Sequence, residues 1–317
     1  MLGVNLDLGY ANARVKGLES KLLTDRDYAN LKNVKTIDSF VTLLQETGYK
    51  NELIEFPKHA GSISFVLDAL KKNYDATLKK VESYTPKKYS KFLSYFDFDE
   101  LCRDVKKIYS KFLLNEKTDL FDLYSQKSNK LVTNLLEAQN TQDFIRLLKH
   151  DERFKSLHDI KHYSKKPQEF YHDIDAIQAR SKHSLKDFGE KVLTHLLEIE
   201  LKFKKEILTL RLLKRKATSN QIIKELRKED LFKPHDYVTA RLSYESFKSR
   251  LQKDYNNSFT KISEFEEFVD QKFYDSVKRV TRVSVMNLST LYSYLILKEI
   301  EVQKLRTLAV EKFGENI

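Results

Sequence analysis

The scarcity of turn-forming residues constrains the fold of this chain more than any other feature of its sequence. The 317 residues include only seven glycines and four prolines, whereas globular proteins average about 7% glycine and about 5% proline. A β-sandwich or a barrel needs many tight turns, and glycine and proline form a large share of such turns. The sequence therefore predicts long helices that reverse direction only a few times.

Apolar residues recur at intervals of three and four along almost the whole chain, the spacing that places them on one face of an α-helix. One such stripe contains Leu8, Ala11, Val15, Leu18 and Leu22. Helix breaks are expected at the four prolines, Pro57, Pro86, Pro167 and Pro234. Thr24 precedes two aspartates and is a candidate N-cap. No sustained alternation of period two occurs, so the predicted class is all-α.

A weak internal repeat suggests how the helices are organised. Residues 36–49, 141–154 and 261–274 each have the pattern of a short amphipathic helix that ends in an aromatic residue. Chance resemblance between amphipathic helices is the rival explanation, and the near-equal spacing favours a true triplication. The repeat predicts three similar helical units, at residues 1–115, 116–230 and 231–317.

Charge and cysteine content exclude some classes of protein. The net charge of +11 indicates either an acidic partner, such as nucleic acid, an anionic membrane or an acidic protein, or simply a solvated lysine-rich surface. The single cysteine excludes a disulfide framework and a cysteine-based zinc site. No apolar stretch reaches the length of about 18 residues that spans a bilayer. We expect a soluble, cytoplasmic protein.

Candidate chemical sites in the sequence are weak. The seven glycines are scattered, so no phosphate-binding loop is present. His158 and His162 have the i, i+4 spacing of zinc ligands, with Glu169, His172 and Asp173 downstream, but surface histidines are the favoured interpretation. Cys102 is expected to be a core residue, because no neighbouring base is predictable. We therefore expect no catalysis, metal, cofactor or small-molecule substrate.

A cluster of basic residues lies between positions 202 and 216, and it contains Lys202, Lys204, Lys205, Arg211, Lys214, Arg215 and Lys216. An RNA site would carry aromatic residues between the cations for base stacking, and only Phe203 is present. A solvated or partner-facing patch is the favoured interpretation.

The last helix carries acidic residues whose placement can be predicted. A helical wheel puts Glu299 and Arg306 on the apolar face formed by Leu288, Leu291, Tyr292, Leu295 and Val302, and points Glu301 away from it. We expect Glu299 to be buried and to pair with Arg14 or Arg306, because an unpaired buried charge is costly. Glu301 is expected to be exposed.

Three segments of the sequence resemble one known family. Residues 10–28, 40–49 and 294–306 are similar to the opening and closing segments of the C subunit of archaeal and bacterial V/A-type ATPases, the family of the eukaryotic V-ATPase d subunit. The matching positions are Asn12, Arg14, Tyr28, Tyr49, Glu299, Glu301, Leu305 and Arg306. The middle of the chain departs from the family's repeated motif, with 100–102 and 206–208 as the nearest counterparts, so no central interface residue is carried over.

The resemblance implies a non-catalytic rotor subunit. Members of the family form a funnel of three similar helical units that sits on the proteolipid ring of the membrane sector and receives the base of the central axle, made of D- and F-type subunits. The resemblance therefore implies torque transmission for proton or sodium transport, at the cytoplasmic face of the membrane and peripheral to it. The alternative is a basic helical protein that binds nucleic acid or acts as a scaffold.

Overall fold

The computed structural model describes residues 6–54, 62–114, 123, 130–228, 231, 233, 236–283 and 286–314. All regular structure in these ranges is helical and none of it is strand, which confirms the predicted all-α class. The first eight α-helices are α1 (Gly9–Glu19), α2 (Asp25–Asn33), α3 (Ile37–Gln45), α4 (Lys50–Leu53), α5 (Ile63–Tyr84), α6 (Ser90–Leu114), α7 (Lys130–Leu136) and α8 (Thr141–Lys149). The remaining eight are α9 (Ile160–Lys165), α10 (Pro167–His183), α11 (Lys191–Lys214), α12 (Ser219–Lys228), α13 (Asp236–Thr239), α14 (Tyr244–Tyr255), α15 (Ile262–Val283) and α16 (Leu288–Phe313).

Local sequence signals account for several helix boundaries. Thr24 caps α2 in a capping box, in which the Asp27 N–H donates to Thr24 Oγ1 at 3.3 Å and the Thr24 N–H donates to Asp27 Oδ2 at 2.8 Å. Pro167 is the first residue of α10, where its missing N–H is not needed. Pro86 lies in the break after α5. Pro57 and Pro234 lie outside the described residues.

The chain divides into two compact units. The first contains residues 1–94, 119–126 and 277–317, and the second contains residues 95–118 and 127–276. The boundaries predicted between the three units are 115/116 and 230/231. Residues 115, 116 and 230 lie outside the described ranges. The division into three units therefore stays a prediction.

The core of the first unit is built around α16, which packs along α5 and α1. Every residue of α16 from Leu288 to Lys298 is buried. Beyond Lys298 only one side of the helix remains buried, and Leu305 and Ala309 on that side pack against Phe40, Leu44 and other apolar residues of α3 to α5. A helix that is enclosed in this way is stabilised mainly by the apolar area it removes from water.

The core of the second unit contains a cluster of aromatic rings. Phe170 of α10 is fully buried, and its ring centroid lies 4.0 Å from Tyr109, 5.3 Å from Tyr163 and 6.0 Å from Phe144. These rings come from α6, α8, α9 and α10, so the cluster joins four helices of this unit. A second apolar cluster packs α11, α12, α14 and the first half of α15 together.

The three proposed repeat segments are all helical, but they are not equivalent. In the first two, the corresponding pairs Phe40 and Phe144 and Leu44 and Leu148 are buried, and so are Tyr49 and Phe154, which is one residue out of register. In the third segment α15 continues to Val283, so Tyr274 lies inside a long helix. The expectation that every copy is a short helix is wrong for this segment, because its apolar period continues past residue 274. The threefold repeat stays a prediction.

Within the described residues, no helix is both long enough and apolar enough to cross a membrane.

The turn after α11 holds a lysine in an unfavourable backbone conformation, and this gives a first prediction. Lys216 has φ +58°, a left-handed conformation that favours glycine because a Cβ atom is strained there. Lys216→Gly should therefore raise the free energy of unfolding by up to about 1 kcal/mol. Gly189 has φ +70°, and Gly189→Ala should lower that free energy by a similar amount. Guanidinium denaturation of both variants tests this, and destabilisation by Lys216→Gly would contradict it.

Candidate functional site

A buried polar network of the terminal helix centres on Glu301. Its Oε1 accepts hydrogen bonds from the Tyr49 hydroxyl and the Lys298 ammonium, both at 2.7 Å, and its Oε2 accepts one from the Leu23 N–H at 2.6 Å. The ammonium also lies 4.0 Å from the centroid of the Tyr49 ring. Both carboxylate oxygens are satisfied, as a buried charge requires.

The network joins three parts of the first unit. Leu23 lies in the turn between α1 and α2, and Tyr49 lies in the turn before α4. The second turn is also held by α5, because the Asn73 side-chain amide donates to Gly48 O at 2.9 Å and to Glu52 Oε2 at 3.0 Å. Near its end, α16 makes a further tie, in which Lys312 donates to Val34 O at 2.9 Å. The terminal helix is therefore fixed to the N-terminal helices by polar contacts as well as by apolar packing.

Burial changes the pKa values of two groups in this network. Desolvation lowers the pKa of the Lys298 ammonium, and the charge of Glu301 partly offsets this. Desolvation and the neighbouring Glu301 charge hold the pKa of the Tyr49 hydroxyl well above its usual range. Tyr49 therefore stays protonated and acts as a hydrogen-bond donor, and the arrangement stabilises structure rather than moving protons.

The prediction for Glu299 and Glu301 is wrong, because Glu301 is the buried residue. Glu301 is 4% exposed, whereas Glu299 is half-buried and accepts a hydrogen bond from Gln303 at 3.0 Å. The predicted partner Arg14 is exposed and donates to the Tyr84 hydroxyl at 3.3 Å. Four of the five residues that defined the face on the helical wheel lie at 288–295, where α16 is enclosed on all sides. These four residues therefore do not show which side of the helix is buried further along.

The other family-motif positions lie at several places in the first unit. Asn12 is buried in α1, where its amide donates to Leu8 O at 2.8 Å. Leu305 is fully buried in the core. Tyr28 and Arg306 are half-buried, and Lys304 lies 5.9 Å from the centroid of the Tyr28 ring. Two of the eight positions, Tyr49 and Glu301, contact each other directly through a hydrogen bond.

Sequence reasoning missed Lys298 as a member of this site. The signal that could have identified it is its i, i+3 spacing from Glu301, the spacing at which opposite charges on a helix pair.

The candidate metal ligands contact several different partners, and the cysteine is buried. The ring centroids of His158 and His162 lie 4.6 Å apart, and His162 contacts Glu169. The other two candidates have different partners: Asp173 accepts a hydrogen bond from Tyr163 at 2.8 Å, and His172 lies 3.9 Å from Glu225. In the described part of the chain no three such side chains are grouped to hold a metal. Cys102 is fully buried in α6, and burial raises the pKa of its thiol, so the thiolate needed for nucleophilic attack is disfavoured.

The basic cluster divides into a structural part and an exposed part. Lys205 pairs with the buried Asp236 at 3.2 Å, and Lys202 lies 5.0 Å from the centroid of the Tyr255 ring. At the end of α11, Lys214, Arg215 and Lys216 are all exposed. Lys202 and Arg211 are exposed as well, but each lies next to a carboxylate, Glu206 at 3.9 Å and Glu266 at 2.9 Å. The exposed cations that form no ion pair with a described residue are therefore those of the α11–α12 turn.

A buried carboxyl on α11 gives a second prediction, on pH. Glu206 Oε2 accepts a hydrogen bond from the Tyr255 hydroxyl at 2.6 Å, and desolvation raises the pKa of Glu206 although Tyr255 and Lys202 partly counteract it. The native state therefore holds this proton to higher pH than the unfolded state, and stability is lost as pH rises through the native pKa. Glu206→Gln should be more stable than the parent at pH 7, with a smaller advantage at pH 4. Denaturation at both pH values, with exposed Glu267→Gln as the control, tests this, and an advantage independent of pH would contradict it.

Comparison with known proteins identifies the family. The sequence model of the family described as ATP synthase (C/AC39) subunit matches residues 11–313. The chain is 22% identical over 316 residues to the C subunit of the A-type ATP synthase of Thermococcus onnurineus, covering 95% of this chain and 85% of that protein. It is 23% identical over 325 residues to the C subunit of the A-type ATP synthase of Thermococcus kodakarensis, covering 97% and 87% respectively. Because the family match extends across nearly the whole chain, this protein belongs to the ATP synthase C/AC39 subunit family.

Proposed function

We propose that this protein is the non-catalytic central-stalk rotor subunit of a V/A-type rotary ATPase, which couples the central axle to the proteolipid ring. The observation that carries the proposal is the family match over residues 11–313. The two Thermococcus relatives are both named as C subunits of an A-type ATP synthase and align over most of their length. The protein would lie at the cytoplasmic face of the membrane and attach to it through the ring.

The buried contacts of the first unit support a mechanical role. A protein that transmits torque must not yield locally, and a side chain with several buried hydrogen bonds resists displacement because each broken bond exposes an unsatisfied group. Glu301 makes three such bonds, to Leu23, Tyr49 and Lys298. Load on the terminal helix would therefore be shared with the two turns that contact it.

The sequence supports a role without nucleotide chemistry in this chain. The seven glycines are dispersed, so the backbone has no clustered glycines with which to cradle phosphates. ATP synthesis or hydrolysis would take place on other subunits of the complex, and this chain would couple that chemistry to the movement of protons or sodium ions through the ring.

Removal of the chain tests the coupling role. In membranes from cells that lack this protein, ATP-driven ion transport should be lost, whereas ATP hydrolysis by the catalytic head released from those membranes should persist. Expression of the parent chain should restore transport. Transport that continues at the parental rate without this chain would contradict the proposed function.

A further inference from the structure

The second unit contains a long groove between α11 and α15, with a volume of about 500 Å³. Its α11 wall runs from Glu200 to Arg215, α15 supplies Glu266, Asp270 and Phe273, and α10 adds His172 and Asp175. At 1.5 Å per residue the α11 wall is about 22 Å long, which corresponds to about four helical turns. The groove therefore has the length of a short helix.

The floor of the groove is apolar. Phe203, Ile207, Leu208 and Leu212 are all half-buried, and they pack on the core of the second unit from one side while they line the groove on the other. Apolar side chains presented between two helices form the surface that accepts the apolar face of a third, amphipathic helix.

The charge that remains uncompensated at one end of this groove is positive. Three of the four acidic residues along the walls form ion pairs: Glu266 with Arg211 at 2.9 Å, Asp175 with Lys106 at 2.8 Å, and Glu200 with Lys182. The fourth, Asp270, is exposed on α15. In contrast, Arg215 lines the groove at the end of α11, and Lys214 and Lys216 lie beside it in the sequence. All three cations are exposed and form no ion pair with any residue that the structure describes. An occupant that complements this end must be acidic.

The backbone at this end provides an independent observation. Lys216 has the left-handed conformation that glycine adopts without strain, yet the position carries a cation. Lys214 is already placed in the last turn of α11, where a cation interacts favourably with the helix dipole, so Lys216 is not needed for that purpose. A strained position that keeps a charge points to a role for that charge outside the fold.

We propose that this groove binds an amphipathic helix of a partner protein in the complex, with the apolar side of that helix on Leu208 and Leu212 and its carboxylates against the cations of the α11–α12 turn. The inference rests on the proposed function, because it requires a partner within the complex. A helix fits better than nucleic acid or lipid headgroups, because the apolar floor needs an apolar face beside the negative charges.

Photo-crosslinking tests the inference on the full chain. Leu212 is replaced by benzoylphenylalanine in the host cells, membranes are irradiated and solubilised, and the crosslinked peptide is sequenced by mass spectrometry. We expect a peptide of another ATPase component with amphipathic helical periodicity and several carboxylates. The triple variant K214E/R215E/K216E should lower the crosslink yield by at least about tenfold, since charge complementarity governs such an encounter.

Control variants distinguish a lower crosslink yield caused by the loss of these cations from one caused by unfolding of the chain. The variant K161E/K165E/K253E reverses three exposed cations elsewhere in the second unit and should leave the yield unchanged. Lys216→Gly removes one charge while relaxing the backbone, so a lower yield in this variant cannot arise from unfolding. If the triple variant melts below the parent chain, Lys216→Gly and Arg215→Gln replace it, and each should lower the yield.

Several results would overturn the inference. These are a crosslink to phospholipid, RNA or a peptide without carboxylates, no crosslink at all, or a yield that the cation variants do not change. The proposed function fails separately, if the chain does not co-purify with other ATPase components. A crosslink to an acidic amphipathic helix of some other protein would then support the groove while contradicting the rotor role.

Discussion

Glu301→Ala should lower the free energy of unfolding by about 3–5 kcal/mol, the usual cost of breaking a buried ion pair. The substitution leaves the buried Lys298 ammonium, the Tyr49 hydroxyl and the Leu23 N–H without the carboxylate that they share. Guanidinium denaturation followed by circular dichroism measures the loss.

The stability lost in Glu301→Ala should depend on pH. Burial lowers the pKa of Lys298, and without Glu301 that pKa should fall further, so the unfolded state binds more protons and stability rises with pH. The difference in free energy of unfolding between the parent and Glu301→Ala should therefore become smaller between pH 7 and pH 10.

Two control variants complete the test. Substitution of the half-buried Glu299 by alanine should lower the free energy of unfolding by about 0.5 kcal/mol or less. Lys298→Met combined with Glu301→Gln should lower it by less than Glu301→Ala does. Equal losses for Glu299→Ala and Glu301→Ala would contradict the account.

Phe170→Ala should destabilise the second unit by about 3–5 kcal/mol, as large-to-small changes of buried aromatic residues do. Its ring is fully buried among Tyr109, Phe144 and Tyr163. The substitution removes the shared contact of four helices and leaves a cavity that four separate elements cannot all move to fill.

The matched control for Phe170→Ala is an exposed apolar residue of the same unit. Val238 is 68% exposed, so Val238→Ala should change the free energy of unfolding by about 0.5 kcal/mol or less. Both variants are compared with the parent by guanidinium denaturation. A loss below about 1 kcal/mol for Phe170→Ala would show that the aromatic cluster is not the centre of this core.

The fold class could be predicted because it depends on features that are local in sequence. The three- and four-residue apolar period describes contacts along one helix, and the cap at Thr24 involves only Asp27, three residues away. Such signals need no knowledge of which helices meet. They explain why the all-α class is confirmed.

The buried carboxylate could not be located in the same way. Which side of α16 faces the core past Lys298 is set by α3 to α5, whose residues lie more than 200 positions away in the sequence. A helical wheel superimposes all residues of the helix. In the fully enclosed segment 288–298 every side of the helix is buried, so this segment does not indicate which side faces the core further along. The sequence therefore indicated a buried glutamate in the terminal helix but selected Glu299 instead of Glu301.

The groove in the second unit could not be predicted from the sequence either. Its walls come from α10, α11 and α15, and 47 residues lie between the end of α11 and the start of α15. The basic cluster was visible as a run of residues, yet its division into Lys205, which is bound to Asp236, and the exposed cations of the α11–α12 turn depends on tertiary contacts.

Affinity purification of the tagged full chain from detergent-solubilised membranes tests the central claim most directly, with all recovered partners identified by mass spectrometry. The account predicts that the proteolipid of the ring and the axle proteins are recovered together with this chain. Recovery of nucleic-acid-associated proteins, with no other ATPase component present, would contradict the rotor assignment and favour the basic nucleic-acid-binding alternative.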